Sequence, residues 1–175
     1  MATTIMRAVG QTLDHDFLGR VPVFGGLGED QLNEIIAAGS MGEVTTGEQV
    51  VSEGEAAKSV FVVCDGCLEV CKRGAHGADI RLAVLRAGDC VGEMSLIDIQ
   101  PRSATVRALT PAVLFRLSHL EIGKLYQRHP DVYMMLVLNI AREISRRLRV
   151  ADQALVEMGV SINEMWQSEQ THPSS

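Results

Sequence analysis

The chain has 175 residues, 46% hydrophobic and 22% charged, with a formal net charge of −6, a composition that fits a folded globular protein and excludes a disordered one. The acidic balance argues against broad non-specific nucleic-acid binding, and no run approaches the roughly 18 apolar residues of a membrane helix. The first residues lack the apolar stretch of a secretory signal, so the expected localisation is cytoplasmic, with Cys64, Cys67, Cys71 and Cys90 as reduced thiols.

Residues 1–40 form the first expected region, a helical segment broken at Val21-Pro22 and again around Gly25-Gly26. Within it Leu32, Ile35 and Ile36 give residues 30–38 one apolar face, and Gly39 ends that helix. The texture changes over residues 41–130. Short runs of Val, Ile, Leu and Phe alternate with turns at Gly47, Gly54, Gly66, Gly74, Gly77, Gly88 and Gly92. Strands are expected over 59–64, 67–72, 80–85, 103–108 and 112–117, and Asp65-Gly66 between the first two is a dipeptide favoured in two-residue hairpins. Many short strands so closely spaced mean a sandwich, barrel or jelly roll.

A short helix over 120–128 stops before His129-Pro130, because the residue ahead of proline is biased away from the helical region. A long helix follows over 131–166. Its apolar positions Val137, Ala141, Ile144, Leu148, Ala151, Leu155, Met158, Ile162 and Met165 step alternately by four and three. That is a heptad seam, and it predicts a parallel homodimer. Gly159 weakens the far end by about 1 kcal/mol, and residues 167–175 are a polar tail.

The chemistry concentrates between Gly88 and Val106. A glycine, an acid, a short apolar turn, a proline and an arginine lead into an apolar strand. A guanidinium that opens a buried strand needs a charged partner. Its fork suits a phosphate, and backbone N–H groups beside a glycine add to an anion site. The carboxylate cannot hold the same phosphate, but it can accept a hydrogen bond from a ribose hydroxyl. A cyclic mononucleotide carries both groups.

On these residues the chain resembles the cyclic-nucleotide-binding domain family, shared by bacterial catabolite activators, protein kinase A regulatory subunits and cyclic-nucleotide-gated channels. Gly92-Glu93-Met94-Ser95-Leu96 followed by Pro101-Arg102-Ser103-Ala104 is similar to the family's phosphate-binding cassette. The likeness extends from about Phe24 to Asp152. It implies an α+β fold, a β jelly roll flanked by N-terminal helices and a long C-terminal dimerisation helix that also serves as lid. It implies that Glu93 takes the ribose 2′-hydroxyl while Gly92 keeps the backbone clear. Arg102 then pairs with the phosphate, assisted by Ser103 and the backbone around Ser95, with Met94 and Ala104 in the same motif. Val70, Leu82 and Leu85 fall where the family lines its base pocket, and Arg146 and Arg147 where it places a lid residue.

The expected function is that of a non-enzymatic regulatory module, without a cofactor, that binds cAMP in preference to cGMP and signals through an effector protein. The residues beyond Asp152 continue the heptad and are too few for the winged helix-turn-helix of the transcription activators, so a free-standing member without DNA or membrane contacts is expected. Serine at position 103 leaves cGMP chemically open, since its hydroxyl suits the 2-amino group of a syn guanine. The alternative function is a ligand-free interaction protein, or a redox sensor using Cys64 and Cys67 across the expected hairpin. A lone C-x2-C pair without a second pair or a nearby histidine is half a metal site. His15, His76, His119, His129 and His172 are scattered and suggest neither a metal cluster nor a catalytic triad.

Overall fold

A computed structural model describes residues 6–8, 13–74, 77–98 and 100–170, with 160–170 as helical backbone alone. It divides into two units, Met1–Ile140 and Ala141–Ser175.

The first unit is an antiparallel β jelly roll with helices. Strands β1 (Arg7–Ala8), β2 (Ser40–Val44), β9 (Ala112–Ser118), β4 (Ser59–Asp65) and β7 (Cys90–Val91) make one sheet in that order. The other runs β3 (Gln49–Val51), β8 (Thr105–Ala108), β5 (Leu68–Arg73), β6 (Asp79–Leu85). Between the two sheets Val44, Phe61, Val63 and Leu114 from one meet Val51, Leu68 and Val106 from the other. The central strands send alternate residues inward, which is how two pleated faces share one core, while β6 is exposed along nearly its whole length.

Two expectations are corrected here. The first forty residues are not helical throughout, because Arg7–Ala8 pairs with β2 as a short strand. Asp65-Gly66 does turn tightly, with Gly66 at φ 82°, but β4 and β5 do not pair. They lie in different sheets, and the turn carries the chain from one to the other. A Cβ on Gly66 would sit 2.3 Å from the Pro111 carbonyl oxygen, so this crossing needs glycine for space as well as for its left-handed backbone. The Asp-Gly signal reports a turn, not which strands pair.

Helices cover the first sheet. Asp14 caps α1 (His15–Arg20), and α2 (Glu29–Ala38) ends at Gly39. Ser118 caps α3 (His119–Arg128), accepting from the Glu121 N–H at 3.2 Å. α4 (Pro130–Gln170) opens on proline, whose missing N–H costs nothing in a first turn. Val132, Leu136 and Ile140 are its buried face in the first unit. From the same stretch Asn139 Nδ2 donates to the Val23 and Gly25 carbonyls at 3.1 and 2.8 Å, holding the single turn of 3-10 helix at Pro22–Phe24.

In the second unit α4 continues with Leu148, Leu155 and Met158 each more than half exposed. Of the expected seam, Val137 and Ile144 are half-buried and Ala141 and Ala151 exposed. The side chains of Ile162 and Met165, and the tail residues 171–175, lie outside the described residues.

Candidate functional site

Strand β7 ends at Val91, and Gly92 follows with φ 83°, the left-handed region that glycine enters without strain. That reversal starts a 3-10 turn over Glu93–Leu96. Leu96 is its anchor, reaching an apolar cluster of Val60, Val62, Phe115, Ile122 and Leu136 beneath the helices.

Arg102 lies against the turn, only 8% exposed. Its backbone is held on both sides, its N–H donating to the Glu55 carbonyl at 2.9 Å and its own carbonyl accepting from Gly54 at 2.8 Å. Nη2 donates to the Ser59 carbonyl at 2.6 Å. Nε and Nη1 are buried without a partner. A Cβ at residue 92 would lie 1.9 Å from Nη1, so the guanidinium occupies the space that only glycine leaves. Burial pulls the guanidinium below the ordinary arginine range, while Glu55 and Glu93 pull it back. An arginine stays charged through such a shift, so a protonated fork stands against the turn with the one N–H of Nε and the two of Nη1 unpaired.

Glu93 is 2% exposed, and its charge acts on Arg102. Ser95 is also buried, its hydroxyl donating to the Gly92 carbonyl at 2.6 Å. Met94, Ser95, Arg102 and exposed Ser103 line a cavity of about 100 Å³ with Gly92, Ala57 and Pro101, and exposed Asp98 and Gln100 stand at its rim. A small, half-open space beside two nitrogens with unpaired N–H groups suits a compact anion.

The remaining candidates lie elsewhere. Ala104 is half-buried beyond the cavity lining. Val70 and Leu85 pack on the inter-sheet core, and Leu82, at a register break in β6, is 58% exposed. Arg147 belongs to the second unit and pairs with Glu143 at 3.2 Å, as Arg146 does at 2.8 Å. The four cysteines are free thiols. Two residues missed in the sequence also belong to this corner: His119, 2.9 Å from the Ser95 hydroxyl, and Ser59, whose carbonyl holds Arg102. Neither carries a local signal, since long-range pairing of β4 with β9 brings them in.

The model of the cyclic nucleotide-binding domain matches residues 42–129. The chain is 38% identical over 94 residues to the cAMP-dependent protein kinase regulatory subunit of Yarrowia lipolytica, covering 54% of this chain and 24% of that one. It is 30% identical over 105 residues to the cAMP-activated global transcriptional regulator CRP of Salmonella typhimurium, covering 59% and 48%. The chain therefore spans less than half the length of these relatives. The N-terminal domain of a Streptomyces coelicolor transcriptional regulator superposes with a TM-score of 0.67 at 31% identity, over 80% of this chain and 95% of that one.

Proposed function

The chain belongs to the cyclic nucleotide-binding domain family, and from that premise we propose that it is a regulatory module that binds one cyclic nucleotide in the Arg102 cavity and signals through a partner protein. The observation that carries this is the buried Arg102 fork with Nε and Nη1 unpartnered. Leaving such donors unmade is costly, and the exocyclic oxygens of a cyclic phosphate satisfy both. Glu93 takes the ribose 2′-hydroxyl, Gly92 and Ser95 supply the close backbone, and Ser103 adds a hydroxyl at the rim. cAMP is the preferred nucleotide, because adenine asks only for apolar surface, such as exposed Leu82 on β6. Both curated relatives named above carry cAMP in their names.

The role is regulatory rather than enzymatic. The redox alternative finds little support, since burial pushes the Cys64 thiol up to about 11, away from the thiolate a sensor needs. Calorimetry with cAMP and cGMP tests the main reading. One site per chain with cAMP the tighter ligand is expected, and binding of neither overturns it.

Homodimerisation through α4 belongs to the same proposal. Leu148, Leu155 and Met158 form an exposed apolar row at heptad spacing. Leu148→Asp would bury a charge in that seam and is expected to give monomers in light scattering where the unsubstituted chain gives dimers. A chain that is monomeric to begin with overturns the dimer.

A further inference from the structure

Ser95 and His119 form a junction to which the proposed function gives no role. The Ser95 hydroxyl lies 2.6 Å from the Gly92 carbonyl oxygen and 2.9 Å from His119 Nε2. A hydroxyl has one proton, and a carbonyl oxygen only accepts. Ser95 therefore donates to Gly92, and His119 Nε2 must carry the hydrogen that Ser95 accepts. The ring is either the Nε2–H neutral tautomer or the imidazolium, because the Nδ1–H neutral form would break the chain of hydrogen bonds.

Both ends of this chain are fixed. His119 is the first residue of α3, and its backbone N–H donates to the Lys58 carbonyl at 3.0 Å. Gly92 is the left-handed residue against which the Arg102 guanidinium rests. Two hydrogen bonds thus link the start of α3 to the turn that shapes the cavity.

We propose that His119 is a positioning residue of the anion cavity: through Ser95 it fixes the Gly92 turn, and it takes up a proton when an anionic ligand binds Arg102. This rests on the cavity being the ligand site. Charged residues stand on each neighbouring element: Glu93 in the 3-10 turn, Asp98 after it on the cavity lining, Arg102 beyond, Glu55 and Lys58 before β4, Arg116 on β9 and Glu121 on α3. Of these, Arg102 is the one whose field acts on the ring. Burial first, and Arg102 second, hold the His119 imidazole below its ordinary range. Without ligand the ring is therefore neutral at pH 7, as Nε2–H. An anion on Arg102 cancels that repulsion, so the pKa is higher in the complex than in the free protein. Affinity for the anion then falls as pH rises from the free-state value through the bound-state value, and is flat on either side.

The test is calorimetry with cAMP as probe, from pH 5.5 to 8, in two buffers of different ionisation enthalpy. The unsubstituted chain should take up a fraction of a proton per ligand and bind more tightly as pH falls. His119→Ala should bind about three- to tenfold more weakly, the worth of one hydrogen bond, with no proton uptake. His119→Gln keeps an N–H donor for Ser95, so it should recover most of that loss while the uptake stays absent. Proton uptake by His119→Gln equal to that of the unsubstituted chain overturns the proposal, as does unchanged affinity in His119→Ala. A chain whose affinity is independent of pH overturns this proposal alone. A chain that binds neither cyclic nucleotide overturns the function and this role together.

Discussion

Two nearly inaccessible charges stand in the same β jelly roll, and they are treated in opposite ways. Glu69 on β5 is 4% exposed and fully engaged. Arg81 Nε reaches one carboxylate oxygen at 2.6 Å, Arg107 Nε donates to the other, and Arg107 goes on to Asp79 at 3.3 Å. Arg102 is 8% exposed, yet two of its three nitrogens have no partner. A carboxylate held between two arginines is complete within the protein and ties three strands together. A guanidinium held by one carbonyl is complete only when something else arrives. Burial alone would rate the two sites alike, and the hydrogen-bond inventory sets the satisfied charge apart from the one with donors to spare.

The comparison breaks most visibly at Arg102. Arg102→Ala should weaken cAMP binding about 30-fold or more, the cost of removing one member of a desolvated charge pair. The melting temperature should hold or rise, because unmade hydrogen bonds disappear with the side chain. Titration and thermal melts on one sample check both halves, and a large loss of stability would return Arg102 to the structural class. Gly92→Ala is the next largest effect. Its Cβ meets the guanidinium at 1.9 Å in a backbone region unfavourable to alanine, so roughly tenfold weaker binding is expected by calorimetry.

Glu69→Gln should reverse the pattern, lowering stability while cAMP affinity stays within about twofold. Arg107 first, and then Arg81, hold the Glu69 carboxyl below its ordinary value. Its contribution is therefore complete above about pH 4.5 and is lost as pH falls through the lowered folded-state value. Melts between pH 3 and 7 should show a shallower acid limb in Glu69→Gln. The smallest effect belongs to Ser103→Ala, which should change the ratio of cAMP to cGMP affinity by less than about tenfold, since one hydrogen bond is all it can offer either base. Side-by-side titration measures that ratio.

What was legible in the sequence was what local chemistry dictates. Gly92, Glu93, Arg102 and Ser103 stand within one short segment, so their residue types single them out as candidates without the rest of the fold. The helix starts and stops were equally local, with Gly39 ending α2 and Pro130 opening α4. The failures are non-local. Asp65-Gly66 announced a tight turn, but only the assembled sheets show that β4 pairs with β7 and β9 while β5 pairs with β6 and β8. Glu69 carries no local mark of its role, since its arginines come from β6 and β8. The Val70, Leu82 and Leu85 positions came from resemblance, and two of the three are spent on the core. His119 looked like one scattered histidine among five, and only the return of β9 to β4 brings it to Ser95.

That return has a kinetic side. β9 lies between β2 and β4, pairing Arg116 with Ser40 and Ser118 with Ser59. Every residue of the cavity wall lies in the chain between Ser40 and Arg116. Loop-closure entropy is spent before such pairings are rewarded, which makes folding of this topology slow beside that of helical bundles. Pairing of β9 with β4 seats Ser59, whose carbonyl accepts from Arg102 at 2.6 Å. A nucleotide that recognises only the finished cavity therefore leaves the folding rate alone and acts on the unfolding rate, lengthening the life of the native state. The last strand in the chain is thus the one that seats Ser59, whose carbonyl holds the Arg102 guanidinium.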